Sequence, residues 1–351
     1  MDLDNLEKFR SLDRSNMLGQ IESLPAQFEK AWQLGLKQPL PEMKPVKKIV
    51  VAGMGGSAIG ADLLSAYLAP VCPLPFIVHR DYGLPGWVNG SDTLVVASSH
   101  SGNTEETLSA FEQALENHCQ VIAISTGGTL QLNAKAAGIP TWAFQHTGQP
   151  RAAVGFSFGL LLALTVRLGL LADPAEEVAD TVRMMVEQQK TLNASVPVKE
   201  NPAKRLAGQL VGRNVTVIGS GFLAPVARRW KTQINELAKA WAAFETLPEV
   251  DHNTLASATY PEDVLQKMMV VFLRSALEHP RNYLRSEKTQ EILMTEGLGT
   301  DVFKPSGGTT LAQMWSAIQF GDYLSYYLAM AYEVDPTPIP LIQGLKDALK
   351  K

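Results

Sequence analysis

Two stretches of this chain carry residue types at a spacing fit for holding an anion. The first is Gly53-Met54-Gly55-Gly56-Ser57-Ala58-Ile59-Gly60, set between an apolar strand pattern and a helical one. Glycines let the backbone approach a ligand, and a helix start offers free N–H groups and a partial positive charge. The second is Ser98-Ser99-His100-Ser101-Gly102-Asn103-Thr104-Glu105-Glu106-Thr107, which follows a strand pattern ending at Ala97. Small hydroxyls together with backbone N–H groups can surround phosphate oxygens without any fixed charge. A helix cap would account for Thr104, but not for Ser99, Ser101 and Thr104 together. The first loop fits the dinucleotide fingerprint only in part. Gly53 and Gly55 match, Ala58 stands at the third glycine position, and Asp81 lies further past the second strand than such an acid usually does. Two phosphate-suited loops without a Walker lysine favour a sugar phosphate over a nucleoside triphosphate.

Positioning these loops requires an open parallel sheet. Apolar strand patterns at 47–53, 76–78, 93–97, 121–124 and 141–144 are separated mostly by helical stretches, notably 57–68, 105–116 and 130–137. This alternation predicts an α/β fold with a doubly wound parallel sheet covered on both faces. Both loops then fall at carboxyl ends of strands, where ligands of such folds bind. Ahead of the sheet, Ile21, Leu24, Phe28, Ala31 and Trp32 recur at helical spacing, and Pro39, Pro41 and Pro45 end that segment. After a mostly helical stretch at 151–195 the strand-glycine pattern restarts at 213–221. A helix is predicted from Ala224 to Lys239, then strands near 241–246, 268–273 and 292–295, and a helical end. The architecture reads as duplicated, with the seam at about 195–210. Residues 197–201 and 300–308 read as insertions or variable loops.

Composition narrows the function classes. The 351 residues are 46% hydrophobic and 19% charged, the profile of a globular protein with a substantial core, and the formal net charge of −4 lacks the basic excess of a general nucleic-acid binder. The two cysteines, Cys72 and Cys119, read as reduced thiols. The first ten residues show no signal-peptide pattern, and the most apolar segment, 152–171, reads as a buried helix rather than a membrane span. The expectation is a soluble cytoplasmic protein with neither nucleic acid nor membrane as partner. The six histidines show no His-x-His or His-x-x-x-His pairing, so no metal is expected; no cofactor is expected either.

The run Ser99-x-Ser101-Gly102-Asn103-Thr104-x-Glu106-Thr107 resembles the phosphate loop of sugar isomerase (SIS) domains. The wider set resembles bifunctional phosphoglucose/phosphomannose isomerases: Gly53-Met54-Gly55-Gly56-Ser57, Gln149-Pro150-Arg151, Gln233-Ile234-Asn235-Glu236 and Leu247-Pro248-Glu249-Val250-Asp251-His252-Asn253. The similarity runs from about residue 45 to the C-terminus. It implies two flavodoxin-like three-layer α/β/α SIS subdomains, at 46–198 and 199–351, after a helical segment at 1–45 and with a helical C-terminal segment. It further implies a homodimer with the active site at the subunit interface, acting on hexose-6-phosphates. Aldose–ketose isomerisation must open the ring and move a proton between C1 and C2 through a cis-enediol, with positive charge near the enediolate. The resemblance assigns Glu236 as the base, His252 as the ring-opening acid/base, Arg151 beside the enediolate and Lys346 as a C-terminal active-site lysine. The phosphate falls to Gly55, Gly56, Ser57, Ser99, Ser101 and Thr104. One departure is that the family commonly has an acid after His-Asn, where this chain has Thr254.

Three other readings share some of these residues. A non-catalytic sugar-phosphate sensor would use the same serine loop, although no helix-turn-helix extension accompanies it. A nicotinamide-dependent oxidoreductase rests on the first glycine loop only. A different SIS enzyme, such as a ketose-amine isomerase or an ether-cleaving lyase, would keep the phosphate loop and change the acid and base.

Overall fold

A computed structural model describes residues 2–349 of the chain. In chain order the elements are α1 (Leu6–Leu12), α2 (Met17–Glu22), α3 (Leu24–Gly35), β1 (Lys48–Ala52), α4 (Gly55–Leu68), β2 (Phe76–His79), β3 (Thr93–Ser99), α5 (Glu105–Glu116), β4 (Gln120–Ser125), α6 (Gly128–Ala136) and β5 (Thr141–Ala143). There follow α7 (Val154–Arg167), α8 (Ala175–Leu192), α9 (Pro202–Leu210), β6 (Asn214–Ser220), α10 (Ala224–Ala238), β7 (Ala242–Leu247), α11 (Glu262–Leu265), β8 (Met268–Leu273), α12 (Pro280–Thr295), β9 (Gly299–Phe303), α13 (Thr310–Ala331) and α14 (Pro340–Leu349). These elements form two compact bodies, Ser23–Val182 and Met1–Glu22 with Arg183–Lys351.

The first body holds an all-parallel five-stranded sheet in the order β2-β1-β3-β4-β5. Its strands read as unbroken apolar runs because both faces are covered. On one face Val50, Ala52, Val95, Ala97, Val121 and Ala123 pack with Ala110, Phe111 and Ala114 of α5 and Leu130 and Ala134 of α6. On the other side α4 packs on the strands and α7 on α4. Residues 154–165 of α7 are all buried, which is why a stretch so apolar forms an ordinary core helix. Among the described residues no helix is long and apolar enough to cross a membrane.

The second body repeats the plan with one strand fewer, in the order β7-β6-β8-β9, again all parallel. Ile218, Val270 and Phe272 pack with Leu293 and Leu298 beneath them. The matching turn is also repeated: Gly55 after β1 and Gly221 after β6 share a φ of +49°. Two expectations fail here. Ile292–Thr295 is not a strand but the last turn of α12, whose buried side carries Ser286, Thr289 and Leu293. The fourth strand is instead β9, which overlaps the stretch read as a variable loop at residues 300–303. It is an edge strand, half-buried along its whole length, so it lacks the apolar run that marks the others. Residues 197–201 form a turn and the N-cap of α9. Asn201 is fully buried, and its side chain accepts from the backbone N–H groups of Ala203 and Lys204.

Candidate active site

In the first sheet β1 and β3 are neighbours, and the chain leaves them in opposite directions, β1 toward β2 and β3 toward β4. The crevice at such a reversal opens at the carboxyl ends of the two strands. The glycine loop leaves β1 there, and the serine loop leaves β3 there. Both anion-suited loops therefore border one crevice.

The serine loop is built from its own hydroxyls. The hydroxyls of Ser99 and Thr104 share a hydrogen bond of 2.8 Å, and the Gly102 N–H donates to Ser99 Oγ at 3.1 Å. The Asn103 N–H donates to Ser101 Oγ at 3.2 Å. Thr104 stands at the N-cap of α5 but makes no side-chain cap bond. Its hydroxyl is turned into the loop instead of onto the helix. Gly102 has no substitute here: its φ is +69°, and a Cβ would lie 1.8 Å from the Gly127 carbonyl oxygen. The loop after β4 supports it from beneath. Leu130 N–H donates to the Gly102 carbonyl at 2.8 Å, and Thr129 donates through both N–H and hydroxyl to Asn103 Oδ1 at 3.0 Å.

The glycine loop is tied to the serine loop and to the turn that carries Arg151. The His100 N–H donates to Ser57 Oγ at 3.2 Å. Ser157 Oγ donates to the Gly56 carbonyl at 3.0 Å, and a Cβ on Gly56 would fall 2.5 Å from the Pro150 carbonyl oxygen. Arg151 follows that carbonyl, is 4% exposed, and donates from Nη1 to Gln149 Oε1 at 3.3 Å. Gly55, Gly56, Ser57, Ser99, Ser101, Thr104 and Arg151 are thus brought together within one body. Ser57 and Ser99 are buried, whereas Gly55 and Ser101 are exposed at the rim.

Three of the expected residues lie in the other body. Glu236 is half-buried on α10, and a buried polar cluster fixes that helix. Arg229 meets Asp322 of α13 through two bonds, Nε to Oδ1 at 3.1 Å and Nη2 to Oδ2 at 2.8 Å. Gln233 donates to the same Oδ1 at 2.9 Å. Gln233 precedes Glu236 by three residues on the same helix, so the network anchors the turn of α10 from which Glu236 projects. His252 is exposed at the end of a 3-10 turn, Glu249–His252. Its neighbours anchor the turn. Asp251 accepts from Arg285 Nη1 at 2.9 Å and Thr289 Oγ1 at 2.7 Å, and Asn253 donates to Glu249 at 2.8 Å. Thr254 Oγ1 donates to Glu245 of β7 at 3.3 Å, so a carboxylate reaches this position from the strand. Lys346 lies on α14, none of whose described residues is buried.

Two groups escaped the sequence reading. His100 Nε2 lies 2.9 Å from His146 Nδ1 beside the glycine loop. In the second body Glu278 is 7% exposed and accepts from Ser220 Oγ at 2.6 Å, at the carboxyl end of β6. Burial raises its carboxyl to about 7, against the opposing pull of Ser220 and Arg274. Neither pair has a local signal, since its members lie far apart along the chain. Among the described residues no group of three or more His, Cys, Asp or Glu side chains is placed to hold a metal ion.

The SIS domain family model matches residues 42–154, and the model described as bacterial phospho-glucose isomerase C-terminal SIS domain matches residues 199–349. A bifunctional phosphoglucose/phosphomannose isomerase of Caldicellulosiruptor bescii is 38% identical, over 95% of this chain and 98% of the relative. One from Aquifex aeolicus is 33% identical, over 94% of this chain and 97% of the relative. Among solved structures, a hypothetical protein from Thermus thermophilus superposes with a TM-score of 0.75 at 18% identity, over 98% of this chain and 93% of that one, and so shares the fold. With that identity to the two isomerases sustained over nearly its whole length, the chain belongs to the family of bifunctional phosphoglucose/phosphomannose isomerases.

Proposed function

We propose that this protein interconverts glucose-6-phosphate and mannose-6-phosphate with fructose-6-phosphate through a cis-enediol. The observation that carries the reading is the hydroxyl loop at the first switch point. There Thr104 turns its hydroxyl to Ser99 instead of capping α5. Ser99, Ser101 and Thr104, with the backbone of Gly55, Gly56 and Ser57, take the phosphate oxygens as hydrogen-bond acceptors. Arg151 supplies the fixed positive charge and steadies the enediolate as it forms. Glu236 moves the proton between C1 and C2. His252 acts on the ring oxygen, and Lys346 adds a second cation. Rotation about C2–C3 of the opened chain lets one base serve both C2 epimers. We further propose that the enzyme is cytoplasmic and works as a homodimer, with His252 supplied across the subunit interface.

A coupled assay of fructose-6-phosphate formation from each aldose phosphate, with a chelator present, tests the reading. Turnover of both substrates is expected. Tight binding of the sugar phosphates without turnover would make the protein a sensor and overturn the reading. Mixing inactive Glu236→Gln and His252→Ala subunits tests the shared site. Recovered activity is expected, and none would place His252 in its own subunit's site.

A further inference from the structure

The serine loop contains one side chain to which the proposed chemistry gives no task. His100 stands between Ser99 and Ser101, and its main chain is held from both sides. Its N–H donates to Ser57 Oγ at 3.2 Å, and its carbonyl accepts from Thr126 N at 3.1 Å and Thr126 Oγ1 at 2.7 Å. The ring is half-buried beside Phe144, edge-on at 5.7 Å, and Phe144 stacks on Phe156 at 5.0 Å. Within this apolar wall the ring has a polar partner in His146, Nε2 to Nδ1 at 2.9 Å with the planes nearly perpendicular. His146 itself leans on Phe156 at 5.8 Å. Burial holds both imidazoles below the ordinary histidine value, and with the smaller effect of His146 it brings His100 to about 4. Both rings are therefore neutral near pH 7. A neutral imidazole has one donor and one acceptor nitrogen, so a donor on one ring meets an acceptor on the other.

His146 belongs to no motif. It lies between β5 and the Gln149-Pro150-Arg151 turn, on the segment that delivers Arg151. The imidazole contact thus joins that segment to the serine loop, while the backbone of the same His100 joins the serine loop to the glycine loop. We propose that His146, acting through His100, is a positioning residue for phosphate binding: the imidazole pair clamps the serine loop to the turn that carries Arg151. The inference rests on the phosphate role proposed for Ser99, Ser101 and Thr104. When His146 is removed, His100 Nε2 is left in an apolar wall with no polar partner, and its ring swings toward water. The backbone between Ser99 and Ser101 moves with it, and the N–H bond to Ser57 loosens.

Kinetics with fructose-6-phosphate, and competitive inhibition by inorganic phosphate, test the clamp in the full-length protein. His146→Ala should raise both KM and the phosphate inhibition constant about 10-fold and leave kcat within about twofold, the signature of lost uniform binding. His146→Asn places an amide where Nδ1 stood and should bring both constants back to within about threefold of wild type. His146→Leu keeps the packing on Phe156 but has no polar atom, so it should behave as His146→Ala does. It also carries the test should His146→Ala fail to fold. The inference is overturned if the alanine and leucine variants keep wild-type constants while Ser101→Ala weakens both. It is also overturned if leucine rescues as well as asparagine, because packing alone would then be the role. An unchanged Ser101→Ala would overturn the phosphate assignment itself, and this inference with it.

Discussion

Replacing Glu278 with glutamine should make the second body less sensitive to alkali, by an amount the structure sets. The carboxyl is 7% exposed, Oε2 accepts from Ser220, and Oε1 has no hydrogen-bond partner among the described residues. Arg274 is nearby, but its guanidinium is spent on Ser286 and Gln290. Burial therefore dominates and lifts the group from 4.5 to about 7. The folded state then holds the proton more tightly than the unfolded chain. Stability from this residue is fully present below pH 4.5 and is lost as pH rises through 7. A factor of ten in proton affinity is worth ~1.4 kcal/mol, so the whole interval corresponds to roughly 3 kcal/mol, of which about 2.5 kcal/mol falls between pH 5 and 8.5. Glutamine keeps an acceptor for Ser220 and cannot ionise. Urea unfolding of wild type and Glu278→Gln should give similar stabilities at pH 5 and a variant more stable by about 2.5 kcal/mol at pH 8.5, read on the transition of the body that holds Glu278. A gap between the two proteins that stays within about 0.5 kcal/mol across that range would refute the reasoning, and would mean that Arg274 or water keeps the carboxylate charged.

Gly102→Ala should unmake the serine loop, since its Cβ would meet the Gly127 carbonyl oxygen at 1.8 Å in a left-handed conformation. A loss of about 2–4 kcal/mol in urea unfolding, with phosphate affinity falling more than about 10-fold, is expected, and near-wild-type values would contradict the loop geometry. Asp322→Ala leaves Arg229 buried without its partner and should cost about 3–5 kcal/mol, while Asp322→Ala with Arg229→Met should recover most of it. If the double variant is no better than the single one, the pair is not what fixes α10.

The sheets were legible because parallel strands buried on both faces are written as apolar runs, as in Lys48–Ala52, Thr93–Ser99 and Met268–Leu273. The turn after each first strand was legible because Gly55 and Gly221 take conformations that side chains resist. Edge strands carry no such signal. Gly299–Phe303 is half-buried throughout, and its residues 300–303 read as part of a loop, whereas Ile292–Thr295 read as a strand but is helical. Within the candidate site, the serine and glycine loops announced themselves by local composition. The His100–His146 pair and the Ser220–Glu278 pair did not, because 46 and 58 residues separate their members and only the strand order brings them together. The roles proposed for Glu236 and His252 rest on family resemblance, since a glutamate on a helix and a histidine in a turn have no spacing that marks them as acid and base.

The isomerase reading is tested most directly by incubating fructose-6-phosphate with the enzyme in deuterium oxide and following the sugars by proton NMR. Wild type should form both glucose-6-phosphate and mannose-6-phosphate, with solvent deuterium entering at C2. Glu236→Gln should slow both products and the exchange at least about 100-fold, the scale of a lost general base. Absence of both aldose phosphates with wild type, or exchange undiminished in Glu236→Gln, would contradict the account.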